Sequence, residues 1–368
     1  MAVDPFIQKL ELKLLAASDA VARAEYQAEM ACYWARSGNF DLAKEMCQEL
    51  RSSFGNGSYP KISTLIMCIE GLILFFRDVS LASLDRLSRA NLLSRSFGIN
   101  DVAAFSAAWM AHINFNFDRY DQMCVSIRQC IEQLDESNVA ARGRVAIVLS
   151  DAFFLIGRNK ESQRWFGIAR DASVDSSDHT LVAALTYNRA ALNAHLTQLR
   201  ILSGSAPTEA IELVYSQINS AFGYQRLAQL RSLEQLLHLA LVGIHIFRAD
   251  FESGQRDARA VLVGFADILL PHQRALLSAQ LRLCEQKTDT RSQELDSAWP
   301  SEEIDGFIHC DSGDKALILD CYAKIAESKG LAKNQHQYIS EMHKQLELAK
   351  RGLEVLETKL SQFFNLSV

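Results

Sequence analysis

A short turn recurs along this chain, and its first four occurrences are spaced about 40 residues apart. Each turn follows an apolar stretch, contains Gly, Asp or Asn beside an aromatic or aliphatic residue, and precedes an amphipathic stretch. The recurring turns are Gly38-Asn39-Phe40, Asp78-Val79-Ser80, Asp118-Arg119-Tyr120, Gly157-Arg158-Asn159, Asp250-Phe251 and Gly330-Leu331. A period of this length predicts a solenoid of helical hairpins rather than one compact core.

The composition favours helices. Of 368 residues, 49% are hydrophobic, and only 5 prolines and 17 glycines interrupt the chain. The 38 basic and 44 acidic residues give a net charge of −6 and are spread along the sequence without a basic stripe. We therefore expect no nucleic-acid partner.

The sequence predicts a cytoplasmic protein without a membrane partner. Its first residues lack the basic and apolar regions of a signal peptide. The longest apolar stretch, Leu65 to Phe76, is too short for a membrane span and contains Glu70. The 8 cysteines lie mostly in apolar helical patterns, so we expect them to be reduced core residues.

The first hairpin shows the repeat most clearly. Ala31 and Trp34 share one helical face, Gly38-Asn39 ends that helix, and Ala43 and Cys47 mark the inner face of the second helix. Small residues at Ala31 and Ala43 allow two helices to cross closely. This pattern resembles the tetratricopeptide repeat, which combines a small residue, an aromatic residue, a Gly-Asp/Asn-aromatic turn and spaced small residues.

The resemblance implies an all-α superhelix of about seven to eight hairpins over residues 1–335. The family's small residue in the second helix becomes Ser83, Met123 and Ser162 in the next hairpins, and the period exceeds the usual 34 residues.

The register is less regular further along. A loop is expected at Ser203–Pro207 with a helix starting at Thr208 or Glu209. The other predicted segments are an apolar helix from Arg231 to Arg248, a seventh unit from Pro271 to about Asp296, an irregular stretch through Trp299-Pro300 and Gly306, and an eighth unit from Ser312.

The last segment, residues 336–368, is predicted to be a coiled-coil helix. Apolar residues follow a spacing of 3 and 4 through Ile339, Met342, Leu346, Ala349, Leu353, Leu356, Leu360 and Phe363. The seam predicts a homodimer whose contacts are Leu346, Leu353, Leu356, Leu360 and Phe363. The alternative is that this helix caps the preceding hairpin of its own chain.

No complete catalytic or metal-binding motif is present, so we expect no enzyme activity, cofactor or metal. The pairs His238/His245 and His336/His343 are seven residues apart and share a helix face, but neither has a third ligand nearby in sequence. His309-Cys310-Asp311 could suggest a nucleophile, yet adjacent loop residues cannot all converge on one substrate.

The resemblance implies that the first helix of each hairpin faces a groove that binds an extended peptide. Polar residues on these helices are the candidate peptide-binding residues, because amides carry both donors and acceptors. These candidates are Trp109, His112, Asn116, Tyr187, Asn188, Asn193 and His195. The alternative is that they are solvated or form hydrogen bonds between helices.

The helical repeats, the C-terminal coiled coil and the lack of a complete catalytic motif together predict a non-catalytic protein- or peptide-binding adaptor. Repeats followed by a coiled coil resemble the sensory regions of bacterial signalling proteins, including diguanylate cyclases, but no output-domain motif is found, so a stand-alone regulator is expected. The alternative function is a sensor whose superhelix changes shape when a peptide or small molecule binds.

Overall fold

The computed structural model describes residues 4–55, 57–228, 230, 234–288 and 306–365, and within them the regular structure is helical, without a strand. The predicted all-α class is confirmed. The helices are α1 (Pro5–Ala16), α2 (Ala20–Ser37), α3 (Phe40–Phe54), α4 (Pro60–Asp78), α5 (Ala82–Ser96), α6 (Asn100–Asn116), α7 (Tyr120–Gln133), α8 (Val139–Leu155), α9 (Asn159–Ser176), α10 (His179–Leu202), α11 (Ala210–Leu227), α12 (Glu234–Phe247), α13 (Phe251–Gly264), α14 (Pro271–Thr288), α15 (Ser312–Ser328) and α16 (Ala332–Asn365).

All six predicted turns separate consecutive helices. In each, one residue has a positive φ, and the six are Gly38, Val79, Asp118, Gly157, Ala249 and Gly330. Five of these turns also share a backbone hydrogen bond that spans five residues, for example from the Asn39 amide to the Trp34 carbonyl at 2.9 Å. This is the Schellman arrangement, which satisfies the carbonyls at a helix end. The recurring sequence signal is therefore a recurring helix C-cap.

Successive hairpins pack against their neighbours within two compact units. Unit 1 comprises residues 1–186, 224–233 and 355–368, and unit 2 comprises residues 187–223 and 234–354. In unit 1, α2 packs on α3, α4 on α5, α6 on α7 and α8 on α9, and α2 and α6 also pack on α4 and α8, respectively. In unit 2, α12, α13, α14 and α15 pack in sequence order. This is the neighbour-to-neighbour packing of a helical-hairpin solenoid.

The small positions of the repeat lie where the helices cross. Ala31 and Ala43 are fully buried, and so are Ser83, Met123 and Ser162 at the positions that depart from the family pattern. The buried hydroxyls are satisfied locally: Ser83 donates to the Ser80 carbonyl at 2.6 Å, and Ser162 donates to the Ser150 carbonyl of the facing helix at 2.9 Å. Serine can replace alanine here because its hydroxyl finds an acceptor within the hairpin.

Gly71 allows the close crossing of α4 and α5, and we expect Gly71→Ala to lower the free energy of unfolding by about 1–3 kcal/mol. A Cβ at Gly71 would lie 2.8 Å from Cγ of the buried Leu87. The matched control is Gly167→Ala on α9, where an added Cβ meets no atom within 4 Å. That change should raise the free energy of unfolding by about 0.5–1 kcal/mol through helix propensity. Urea denaturation measures both, and shifts in the same direction would contradict the packing argument.

The less regular half follows the predicted order. The helix expected from Thr208 or Glu209 begins at Ala210, and the last hairpin begins at Ser312 as predicted. The apolar helix predicted from Arg231 is described from Glu234 onward. The seventh unit begins at Pro271 as predicted, and its helix is described to Thr288. Residues 289–305, which include the predicted irregular stretch around Trp299-Pro300, lie outside the described residues.

The C-terminal helix α16 contributes to the core of unit 1. Leu356, Leu360 and Phe363 are buried in a cluster with apolar residues of α6, α7 and α8. Lys359, on the same turns, forms an ion pair with Asp121 at 2.8 Å. These three apolar residues therefore pack on α6, α7 and α8 of their own chain rather than on the preceding hairpin, and their role in an intermolecular seam stays a prediction. An apolar heptad face is satisfied equally well by hairpins of its own chain as by a second copy.

The remaining seam positions belong to unit 2. Leu346 packs with the buried Met342 against α15, and Leu353 is half-buried. The predicted domain boundary between residues 335 and 336 falls inside α16, which begins at Ala332. Dimerisation through α16 stays a prediction.

Seven of the 8 cysteines are buried, as predicted for core residues, and Cys124 is half-buried. Within the described part of the chain, no helix combines the length and the apolar character that a membrane span requires.

Candidate functional site

A depression of about 370 Å³ opens on unit 1. Its wall includes side chains from the first helices of four successive hairpins, α2, α4, α6 and α8, and it is completed by α1 and the end of α9. The volume lies within the range of small-ligand pockets in proteins. The lining mixes apolar side chains such as Phe105 with charged groups of both signs.

One lysine connects three of these first helices. The Lys61 ammonium on α4 lies 2.8 Å from the Glu25 carboxylate on α2 and 2.9 Å from the Asp101 carboxylate on α6. Burial lowers the pKa of Lys61, but hydrogen bonds to both carboxylates outweigh this effect and the net shift is upward. The ammonium is therefore charged at neutral pH and fixes part of the wall.

A buried ion pair lies at the Arg36 side of the depression. The Arg36 guanidinium is 2.8 Å from the Asp178 carboxylate, and the two side chains are 5% and 1% exposed. Arg36 Nε also donates to the Thr180 hydroxyl at 3.2 Å. Asp178 in turn accepts hydrogen bonds from the Thr180 amide and hydroxyl at 2.9 and 2.6 Å. This network ties α2 to the start of α10 and holds the wall in place.

Three charged groups of the depression form no ion pair within the described residues. Glu29 lies one helical turn from Glu25, and its side chain is open to solvent but surrounded by the protein atoms of the depression. These protein atoms displace part of the water around the carboxylate, which raises the pKa of Glu29, although the positive charges of Lys13, Arg36 and Lys61 act in the opposite direction. The other two groups are Lys9 and Lys13 of α1, and the Lys13 ammonium lies 5.5 Å from the ring centre of Tyr26.

Two predicted groove residues are buried in the core of unit 1. Trp109 is 1% exposed, and its ring is 3.9 Å from the guanidinium carbon of Arg144. His112 packs edge-on against Trp109 and Phe75. Burial, together with the charge of Arg144, holds the pKa of His112 well below its usual range, so the imidazole is neutral. Because tight stacking fills this space, neither side chain is presented on an open groove, which corrects their assignment.

The other predicted groove residues differ in their surroundings. Asn116 is exposed and donates to the His112 carbonyl of its own helix at 2.8 Å. Tyr187 is buried, and burial raises its pKa. Asn188 is half-buried. Asn193 donates to the Gln217 side chain on α11 at 2.7 Å, which is the interhelical alternative for that residue. A peptide-binding role for these four residues stays a prediction.

His195, the last of the predicted groove residues, lies beside two carboxylates in unit 2. One ligand atom each from His195, Asp311 and Asp314 lies within 4.8 Å of the others, a spacing that allows all three to contact one metal ion.

The other histidines noted in the sequence have separate surroundings. His245 is buried between Asp250 and Asp257, at 3.4 and 3.2 Å. His238 packs against Phe222, and His336 and His343 are exposed.

The adjacent residues His309-Cys310-Asp311 have separate surroundings. The Cys310 thiol is buried and donates to the Gly306 carbonyl at 3.5 Å. Burial raises its pKa to about 12, so the nucleophilic thiolate is not formed at neutral pH. This geometry argues against Cys310 as a nucleophile.

The charged lining of the depression was not predicted from the sequence. Glu25, Glu29, Cys32 and Arg36 occupy every third or fourth position of α2 and line the depression together. This polar stripe on the first helix of a hairpin was readable as a helical face, and Lys9 and Lys13 repeat the spacing on α1. The sequence did not show that the two stripes face one cavity.

No protein-family model and no curated protein matches the sequence. Function is therefore inferred from the fold and from the side chains described above.

Proposed function

We propose that the chain is a non-catalytic, cytoplasmic, tetratricopeptide-like adaptor whose unit 1 depression binds a short extended peptide carrying an acidic group. The observation that carries this proposal is the set of charged groups without ion pairs in the depression: two ammonium groups on α1 and the Glu29 carboxylate on α2. All three groups are exposed and not already engaged in ion pairs among the described residues, so they are available to ligand groups of opposite charge.

A peptide has the chemistry that these groups require. An Asp or Glu side chain, or a C-terminal carboxylate, pairs with Lys9 and Lys13. Backbone amides of the same peptide donate to Glu29, and small apolar side chains pack on Phe105 and Val102 in the lining. The cavity volume of about 370 Å³ accommodates only a few residues, so the bound segment is short.

The rigid wall favours recognition over catalysis. Lys61 is held by Glu25 and Asp101, and Arg36 is held by Asp178, so these cations already have partners. The wall is thus pre-organised, which reduces the entropy lost when a peptide binds. An adaptor in signalling is the role we propose for such a module, in line with the resemblance of the repeats to sensory regions.

The proposal is tested by selecting peptides from a random phage-displayed library against the full chain and measuring them by fluorescence anisotropy. We expect the selected peptides to be enriched in Asp and Glu. The double change Lys9→Gln/Lys13→Gln should weaken their binding by about 10- to 100-fold, because a hydrogen bond to a charged group is worth about 1.5–3 kcal/mol.

The matched control is Lys160→Gln, an exposed lysine of the same unit on α9, outside the depression lining. It should bind the selected peptides like the unmodified chain. Glu29→Gln keeps the shape of the side chain and shows whether the carboxylate charge contributes. Equal binding by the double variant and the control, or selected peptides without acidic residues, would contradict the proposal.

A further inference from the structure

Unit 2 brings an imidazole and two carboxylates together at the start of α15. His195 comes from α10, Asp311 is the N-cap residue of α15, and Asp314 lies in its first turn. Nδ1 of His195 is 3.8 Å from Oδ1 of Asp314. This distance is too long for a hydrogen bond but suits two ligands that share one ion, because each would bind the ion at about 2.0–2.2 Å.

The Asp314 carboxylate lacks the partners that such a group normally has. It accepts no hydrogen bond from the part of the chain that the structure describes, although its side chain is only 19% exposed. Ligand atoms of Asp311 and Asp314 lie within 4.8 Å of each other, so the two carboxylates repel when both are ionised. A cation between the three groups would remove this repulsion.

The absence of a side chain at Gly313 leaves room for the His195 imidazole beside the two carboxylates. A Cβ at this position would lie 2.4 Å from Nε2 and 2.7 Å from Cε1 of His195. Any other residue would displace the ring from the carboxylates. Asp311 is oriented as well, because its Oδ1 accepts the Asp314 amide at 2.7 Å, which leaves Oδ2 for a ligand.

The neighbouring groups do not compete for the same role. The Cys310 thiol is engaged with the backbone carbonyls of Gly306 and His272. Burial lowers the pKa of His272, although the Asp311 charge acts in the opposite direction. His272 and His309 lie outside the group of ligand atoms within 4.8 Å.

We propose that His195, Asp311 and Asp314 bind one divalent transition-metal ion of the Zn²⁺ class. One imidazole nitrogen and two carboxylate oxygens form a three-ligand set whose remaining position is filled by water. The imidazole selects Zn²⁺, Co²⁺ or Ni²⁺ over Mg²⁺ and Ca²⁺, which prefer oxygen ligands alone. The sequence could not show this set, because His195 is far from the other two ligands along the chain.

The test uses the full chain, stripped with a chelator and titrated with Zn²⁺ by calorimetry and with Co²⁺ by visible absorption. We expect one ion per chain, d–d absorption bands of bound Co²⁺, and no saturable heat with Mg²⁺. His195→Gln and Asp314→Asn should each weaken Zn²⁺ binding by more than about 100-fold, the upper end of the loss seen when a residue that only supports a ligand is changed.

Two features of the variants separate binding from folding. Asp314→Asn removes a poorly satisfied charge, so its thermal midpoint without metal should equal or exceed that of the unmodified chain, while its stabilisation by Zn²⁺ should be lost. His343→Gln changes an exposed histidine of α16 and should bind one ion with unchanged affinity. Absence of stoichiometric binding, or unchanged binding in His195→Gln and Asp314→Asn, would overturn the site.

Discussion

Asp178→Ala is expected to lower the free energy of unfolding by about 3–5 kcal/mol, because it leaves the Arg36 guanidinium buried without its counter-charge. Arg36 is 5% exposed, so water cannot replace the lost carboxylate. Asp178 also accepts the Thr180 amide at the start of α10, and loss of this cap adds about 1 kcal/mol.

Urea denaturation followed by circular dichroism measures the effect, and a second variant separates its two parts. Asp178→Asn keeps an oxygen for the Thr180 amide but removes the charge, so it should retain the cap and still lose most of the ion-pair stabilisation. The control is Asp175→Ala, which removes an exposed ion pair with Arg142 and should change stability by less than about 1 kcal/mol.

A double change gives an independent check. Arg36→Met/Asp178→Leu removes both charges, and its stability should recover to within about 1–2 kcal/mol of the unmodified chain, because similar-sized apolar groups often replace buried pairs without loss. A loss in the double variant as large as in Asp178→Ala would show that the uncompensated charge is not the cause.

The second large effect is expected from Leu360→Ala, which should lower the free energy of unfolding by about 2–5 kcal/mol. Leu360 is 0% exposed within the unit 1 cluster formed by α6, α7, α8 and the end of α16. The cluster is closed by Phe363, whose ring lies 5.7 Å from the Arg128 guanidinium carbon. Removing the isobutyl group leaves a cavity that the surrounding helices cannot fill.

The matched control on the same helix is Leu348→Ala, where the side chain is 46% exposed and the expected change is within about 0.5 kcal/mol. Light scattering on the same variants tests the coiled-coil prediction. If Leu360→Ala leaves stability unchanged while converting a dimer to a monomer, the leucine serves an intermolecular seam and its packing on α6, α7 and α8 does not stabilise the chain.

Much of the fold was predictable because its signals are local. The six turns were readable from Gly, Asp or Asn beside a hydrophobic residue, and each proved to contain a residue with positive φ. The buried faces of the first hairpin followed from the 3.6-residue period, as Ala31, Ala43 and Leu50 show. The start of α15 at Ser312 was also predicted from the local pattern.

The candidate sites were less predictable. The spacing of Trp109 and His112 predicted that they face a groove, but Arg144 and Phe75 from neighbouring helices pack against them in the core. The heptad pattern of α16 did not specify its partner, because a hairpin surface and a second copy of the helix present similar apolar grooves.

By itself, the sequence determined most of the helices and their caps, since these depend on residues within a few positions of one another. Only the tertiary structure decided which polar faces meet. Lys61 pairs with Glu25 and Asp101 on two other helices, and His195 lies beside Asp314. These residues are close in space but far apart in sequence, so their spacing along the chain does not reveal the contacts. Electrostatic interactions depend on separation in space, so charge partners and binding cavities emerge when the hairpins stack.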